Sequence, residues 1–267
     1  MRKYTQVMKM NIEITLTYKW NLILTSLMDI FRIVAEIAFW KIIFTATSGH
    51  TISGYTLNSI ITYYIFMFII GAVTNTEGIG VKIANDIKDG TLNNLIIRPI
   101  SYIGYYFSEI VAQKLVQLLI VATMFVPVLV ILASSISIGI NTEQLAFFPL
   151  VLLFSLLMNF FLNVIISLLV FWFTEVTSFF FLKDVLLDFL SGKVFPIDLL
   201  PTQIFNIFVF LPFMYCTFFP LTLLTKGMLN EEFFKGLLIQ ICWIIILYFL
   251  IKLFWKLGIK KYAGTGA

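Results

Sequence analysis

Long apolar runs, recurring from one end of the chain to the other, constrain this sequence before anything else does. They fall at about 22–44, 57–76, 106–133, 145–173 and 234–255. Crossing about 30 Å of hydrocarbon takes about 20 helical residues, so each run is long enough to cross. Helix is the only state open to them, because backbone donors and acceptors in lipid must be satisfied within the segment or in a closed barrel. Barrel strands alternate over about 10 residues, and these runs do not. Composition agrees. The chain is 60% hydrophobic and 12% charged, against about 25% charged in a soluble domain. A disordered chain, a nucleic-acid-binding domain and a secreted disulfide scaffold are excluded, and an all-α integral membrane protein is left.

Basic residues set the orientation. Arg2, Lys3, Lys9 and Lys19 precede the first run, and Lys252, Lys256, Lys260 and Lys261 lie in or after the last. The loops 45–56 and 134–144 hold no Lys or Arg. Cytoplasmic loops carry the excess of Lys and Arg, so both termini are expected inside and the number of crossings is even. Six transmembrane helices result, in one domain covering 1–267. This topology also accounts for the net charge of +4, so no nucleic acid is expected as a partner. The fifth crossing has two readings. In one, 176–191 crosses despite Lys183, Asp184 and Asp188, and 199–225, broken by Pro201, Pro212 and Pro220, dips in and out of the outer face. In the other, 176–198 lies along the cytoplasmic surface and 199–225 crosses.

Before the first run, 8–20 alternates apolar and polar residues, a strand period. A lone strand would leave an unpaired edge. An interfacial cytoplasmic helix over 1–21 is expected instead, with Met8, Ile12 and Leu16 facing lipid and Tyr18 and Trp20 at the headgroups.

The segment VKIANDIKDGTLNNLIIRPIS at 81–101 interrupts the runs. Ile83, Ile87, Leu92, Leu95 and Ile96 recur near helical spacing, with Asp86, Lys88 and Asp89 on the other side. Gly90 breaks the first helix, Thr91 can cap a second, and Arg98-Pro99 ends the unit. A rigid amphipathic knob of this kind suits docking in a partner's groove. A surface loop resting on the headgroups is the plainer reading.

Charges within the runs are costly and face protein or water. Asp29, Arg32 and Glu36 share a helical face at i, i+3 and i+7. They either line a path or neutralise one another structurally. Glu109 and Lys114 are expected to pair or reach toward the inner face. Lys183, Asp184 and Asp188 form either a path-facing cluster or helix-to-helix pairs, and Glu175, between the fourth and fifth crossings, is a gating candidate. Metal and redox chemistry find no support: His50 is the only histidine, and Cys216 and Cys242 lack ligand spacing. Gly192-Lys193 lacks the upstream glycine of a phosphate-binding loop, so this chain is not expected to bind ATP or act as an enzyme.

The order Asp86-Ile87-Lys88-Asp89-Gly90-Thr91-Leu92, then Leu95 and Arg98-Pro99, between the second and third crossings resembles the permease subunits of ABC-2 type transporters. Leu190-Ser191-Gly192, Phe195-Pro196, Leu200-Pro201, Phe210-Leu211-Pro212 and Lys261-Tyr262-Ala263-Gly264 are similar to later stretches of the variety with a separately encoded ATPase. The resemblance implies that 77–105 holds a coupling helix seated in an ATPase cleft. It also favours 176–191 as the fifth crossing, with a re-entrant outer region at 192–233, a sixth crossing at 234–255 and a cytoplasmic tail at 256–267. It implies ABC ATPase subunits carrying ATP and Mg, a second permease subunit, membrane lipid around both, and residence in the cell membrane. An exporter of an apolar or amphipathic substrate (lipid, peptide or drug) is the function expected. An ion-coupled secondary transporter using Asp29, Glu36, Asp184 and Asp188, or a non-transporting immunity or scaffold protein, are the competing classes.

Overall fold

A computed structural model describes residues 2–47, 51–97, 99–132, 142–226 and 231–262. His50, Arg98, Ala263 and Gly264 lie outside the described residues. The regular structure among them is helical: α1 (Arg2–Thr17), α2 (Lys19–Ala46), α3 (Leu57–Thr74), α4 (Glu77–Lys88), α5 (Leu92–Ile96), α6 (Tyr102–Leu132), α7 (Thr142–Leu168), α8 (Thr177–Leu190), α9 (Thr202–Val209), α10 (Met214–Lys226) and α11 (Glu231–Gly258). Among the described residues, four stretches are long and apolar enough to cross a membrane: Leu57–Lys88, Tyr102–Met124, Ala146–Phe171 and Glu231–Gly258. The pair α9 and α10, bent by 112°, would add a fifth.

The helix α3 is apolar nearly all round, which places it at the centre of a bundle. Ile60, Tyr63, Tyr64, Ile65 and Ile70 are buried, and α2, α6, α7 and α10 pack around it. Thr56 and Ser59 close a reciprocal capping box at its start, satisfying amides the helix cannot. At the edge, α11 packs on α7 with only 17% of its apolar stretch buried, so most of its surface is uncovered within this chain.

Two expected crossings differ from a plain apolar span. The 28 residues of α2 are long enough, but Asp29, Arg32, Glu36 and Lys41 interrupt them. Leu24, Met28, Phe31, Val34, Phe39 and Ile42 are exposed along the same helix. The 14 residues of α8 rise only about 21 Å at 1.5 Å each, so this helix alone is too short for the fifth crossing. The residues after it continue its course. Phe180 lies against Gly80 of α4. Further on, the Tyr63 hydroxyl donates to the Gly192 carbonyl (2.5 Å), Tyr64 to that of Val194 (2.8 Å) and Tyr55 to the Asp198 carboxylate (2.9 and 2.8 Å). Residues 177–198 thus follow α4 and α3 back to the start of α3. Lys183 is buried on this path, and Phe181, Leu182, Val185 and Phe189 are exposed.

Prolines shape the stretch from 199 to 226. Pro201 precedes α9, and Pro212 stands between α9 and α10, where a missing donor breaks a helix at least cost. Here the Phe210 carbonyl accepts from the Trp243 indole (3.1 Å). Phe219 of α10 then stacks on Phe233, at the start of α11.

The leading segment is a helix, yet its expected lipid face is divided. Leu16 is exposed, with Met10 and Ile14, and Met8 and Ile12 are only half-buried. The buried residues are Asn11 and Thr15, because α1 packs lengthwise on α6. Gly104 makes that possible: a Cβ there would come within 2.9 Å of the Tyr4 ring.

Candidate functional site

Two places gather the chemistry-bearing residues, an elbow made by α4 and α5 and a charged cavity above it. In the elbow, α4 opens with Glu77 and closes with Lys88, each charge opposing the helix dipole at its end. Gly90 follows at φ +76°, a left-handed conformation that favours glycine. The Asp86 carboxylate accepts from the Thr91 hydroxyl (2.9 Å) and from the Tyr106 hydroxyl of α6. Lys82 pairs with the buried Glu109 of α6 (2.5 Å). Ser167 of α7 donates to the Gly80 carbonyl (2.8 Å). A side chain at position 80 would have to push the Phe180 ring aside, since a Cβ would lie 2.7 Å from it. The elbow is therefore clamped by α6, α7 and α8.

This corrects how the elbow presents itself. Ile83, Ile87 and Leu92, expected to face a partner's groove, are buried in the chain's own core, and Leu95 is half-buried. A core lay within reach because Gly80 lets α4 approach α7. Thr91 does not cap α5; its hydroxyl turns back to Asp86. The face left open carries Lys88, Asp89, Asn93, Asn94, Ile96 and Ile97, the last 82% exposed. Pro99, also exposed, accepts from the Lys3 amine (3.3 Å), which ties α1 to the elbow's exit. Glu175 sits in the turn before α8. Its carboxylate accepts from the Val176 and Thr177 amides (3.1 and 3.0 Å) and the Thr177 hydroxyl, and it stands 3.6 Å from Lys88. Hydrogen bonds from Thr177, helped by Lys88, hold its carboxyl down at about 2. Geometrically it is a cap and a tether to the elbow.

The expected cluster of Lys183, Asp184 and Asp188 is divided. Lys183 donates to the Asn163 amide oxygen of α7 (2.9 Å) and pairs with Asp184, whereas Asp188 pairs with Lys193 (3.1 Å). Asn163 belongs to a seam missed in the sequence. Ser155, Asn159, Asn163 and Ser167 recur every fourth residue of α7 and are all buried. Ser155 donates to the Tyr215 carbonyl (2.8 Å) and Asn163 to Thr76 at the α3–α4 break (2.9 Å). Gln240 of α11 reaches Ser155 (3.0 Å). Small polar residues at that period in an apolar run are the signal of helix-to-helix hydrogen bonding.

The cavity lies between α1, α2, α3 and α6 and has a volume of about 630 Å³. Asp29, Arg32 and Glu36 line it, as their shared face predicts, with Glu77, Lys114 and Lys193. Arg32 and Glu36 pair at 3.0 Å. Lys114 is buried and donates to the Ala72 carbonyl (3.0 Å) and Gln117 (2.7 Å). Lys114 and Lys193 come from distant parts of the chain, and only the packing of α6 and the residues after α8 brings them here.

Apolar helices packed around a polar, charged interior define a multi-pass membrane protein with room for a solute. The family model described as ABC-2 family transporter protein matches residues 30–266, and the chain belongs to that family. It is a transport permease, of a family that associates with ABC ATPases. No curated protein matches the chain.

Proposed function

We propose that this chain is the membrane-spanning half of an ATP-driven exporter of apolar or amphipathic molecules, powered by separate ABC ATPase subunits that carry ATP and Mg. In this reading the chain passes the membrane six times: α2, α3, α6, α7, α8 with the residues up to 198, and α11. The pair α9 and α10 forms a re-entrant excursion from the outer side. Both termini and the elbow lie in the cytoplasm of a plasma-membrane protein, and a second permease subunit, identical or related, completes the path.

The observation that carries this reading is the clamped elbow with its open outer face. A flexible loop would dissipate a partner's displacement. Here Gly80–Ser167, Asp86–Tyr106 and Lys82–Glu109 tie the elbow to α6 and α7. A push on the exposed face around Asp89 and Ile97 is passed to those two helices. Asp86 holds the elbow in shape and does not itself form its outer surface, so Asp86→Arg is expected to end transport without blocking insertion. Docking is tested more directly at Ile97→Glu and Asp89→Arg. Affinity purification of the wild type from its own membranes is expected to bring down an ABC ATPase. The two surface variants should insert normally and lose it. An inserted Ile97→Glu, Asp89→Arg double variant that keeps the full amount of ATPase would refute docking at this face. Transport that collapses with an uncoupler and needs no ATPase would favour the ion-coupled reading, and absence of any flux the scaffold.

A further inference from the structure

We propose that the cavity between α1, α2, α3 and α6 binds the head of a zwitterionic amphiphile, its anionic group on Lys114 and its cationic group at Asp29. This names a substrate class for the exporter and rests on that reading for transport, though not for binding. A volume of about 630 Å³ falls among the clefts of about 300–1,000 Å³ that hold small ligands.

Three cations and three carboxylates line the cavity, and four of the six are already compensated. Arg32 pairs with Glu36, and Lys193 with Asp188. Glu77 sits in the first turn of α4, where the helix dipole favours a negative charge. Lys114 and Asp29 remain. The Lys114 ammonium has three protons to donate and is 9% exposed. It gives hydrogen bonds to a carbonyl and an amide, and among the described residues no carboxylate pairs with it. Asp29 makes no hydrogen bond or ion pair among the described residues. Neither touches a counter-charge: Lys114 feels Glu77 and then Asp29, and Asp29 feels Arg32 and then Lys114, all beyond ion-pair contact. The buried Lys114 ammonium, with no carboxylate in contact, is costly, and so is the Asp29 carboxylate, exposed on a crossing helix within a membrane. A ligand bearing both signs compensates both residues at once, which a purely anionic or purely cationic one does not. Gln113 and Gln117 line the cavity beside Lys114 and offer amides to an anionic oxygen. The exposed Leu24, Met28 and Phe31 beside Asp29 give an apolar tail a surface to follow.

The shared chemistry is an ammonium and a phosphate or carboxylate on one head, from a lipid or from a soluble zwitterion. Native mass spectrometry of the purified full chain separates the cases. Phosphatidylethanolamine is expected to be retained about tenfold better than phosphatidylglycerol, and Lys114→Gln and Asp29→Asn should each reduce its retention about tenfold. Lys114→Arg should restore most of it. Displacement by glycerophosphoethanolamine would mark the head alone as sufficient, and failure to displace would make the ligand lipid-borne. Equal retention of the two lipids, or an Asp29→Asn protein that binds like the wild type, would overturn the proposal. Asp29 is exposed, so its substitution should leave the fold intact even where Lys114→Gln does not. No ATPase enters this assay, so its failure and a failure of ATPase capture are separate results.

Discussion

The molecule has two polar interiors, and they are built on opposite terms. Along α7, Ser155, Asn159, Asn163 and Ser167 are buried and each donates a hydrogen bond to the protein. Along α2 and α6, Asp29 makes no hydrogen bond or ion pair among the described residues and Lys114 pairs with no carboxylate. The first arrangement joins α7 to the α3–α4 break, α4, α8, α10 and α11. The second has kept part of its hydrogen-bonding capacity. Polar groups of the first kind hold helices in register; those of the second are free to meet something that comes and goes.

Asn163 offers the largest test of that contrast. It donates to Thr76 and accepts from Lys183, so Asn163→Leu removes both and leaves a buried ammonium with Asp184 alone. A loss of about 2–3 kcal/mol is expected, the cost of stranding a buried charged donor. It would be read as a lower midpoint of thermal aggregation in detergent. A midpoint unchanged from wild type would mean that the seam is ornament and the contrast false.

Lys114→Met sharpens the comparison from the other side. By chemistry it is as drastic, since a buried cation becomes apolar. Yet no paired carboxylate is stranded, and only the Ala72 carbonyl and Gln117 lose a donor. Removing an uncompensated charge relieves its desolvation cost, so stability is expected to stay within about 1 kcal/mol of wild type or to rise. A destabilisation as large as that of Asn163→Leu would place Lys114 with the structural polar groups and remove the ground for a ligand there.

How far the sequence disclosed all this depends on whether the interacting residues lie on one helix. Asp29, Arg32 and Glu36 are one face of α2, so their common destination could be read from spacing. The α7 seam was equally legible, since its four members recur every fourth residue, and was passed over. Lys114 and Lys193 were not legible as parts of the cavity, because they reach it through tertiary packing that no local period encodes. The elbow shows a third case. Its amphipathic pattern was plain, but a pattern gives a face without saying what covers it. Ile83 and Ile87 turned to the chain's own core because Gly80 admits Phe180 and Asn163 at close range. Asp86 found Tyr106, twenty residues away, only because α6 returns along the elbow. The helical class followed from hydropathy alone. The course of 177–198 did not, since its charges argued against burial until Asn163 and Asp184 were placed beside Lys183.

The smallest effect is expected where charge belongs to neither interior. Glu175 and Lys88 form an ion pair at 3.6 Å in which both side chains are exposed, at 65% and 48%. Water and salt screen such a pair, so Glu175→Gln should lower thermal stability at neutral pH only slightly. Its pH dependence nevertheless has a definite sign. The folded carboxyl is held at about 2, below its ordinary value. Its contribution is therefore complete above the ordinary carboxylate range and fades as pH falls toward the folded value. Wild type and Glu175→Gln should run parallel from neutral pH down to about pH 5 and converge below it. Curves that instead separate as the pH falls would reverse the sign and show that the carboxylate is strained in its turn. Added salt makes the final distinction. The amide and hydroxyl bonds from Val176 and Thr177 are short-range and should survive it, whereas the Lys88 attraction should not. Any residual difference in high salt therefore belongs to the cap, leaving the tether to the elbow as the weaker half of what Glu175 does.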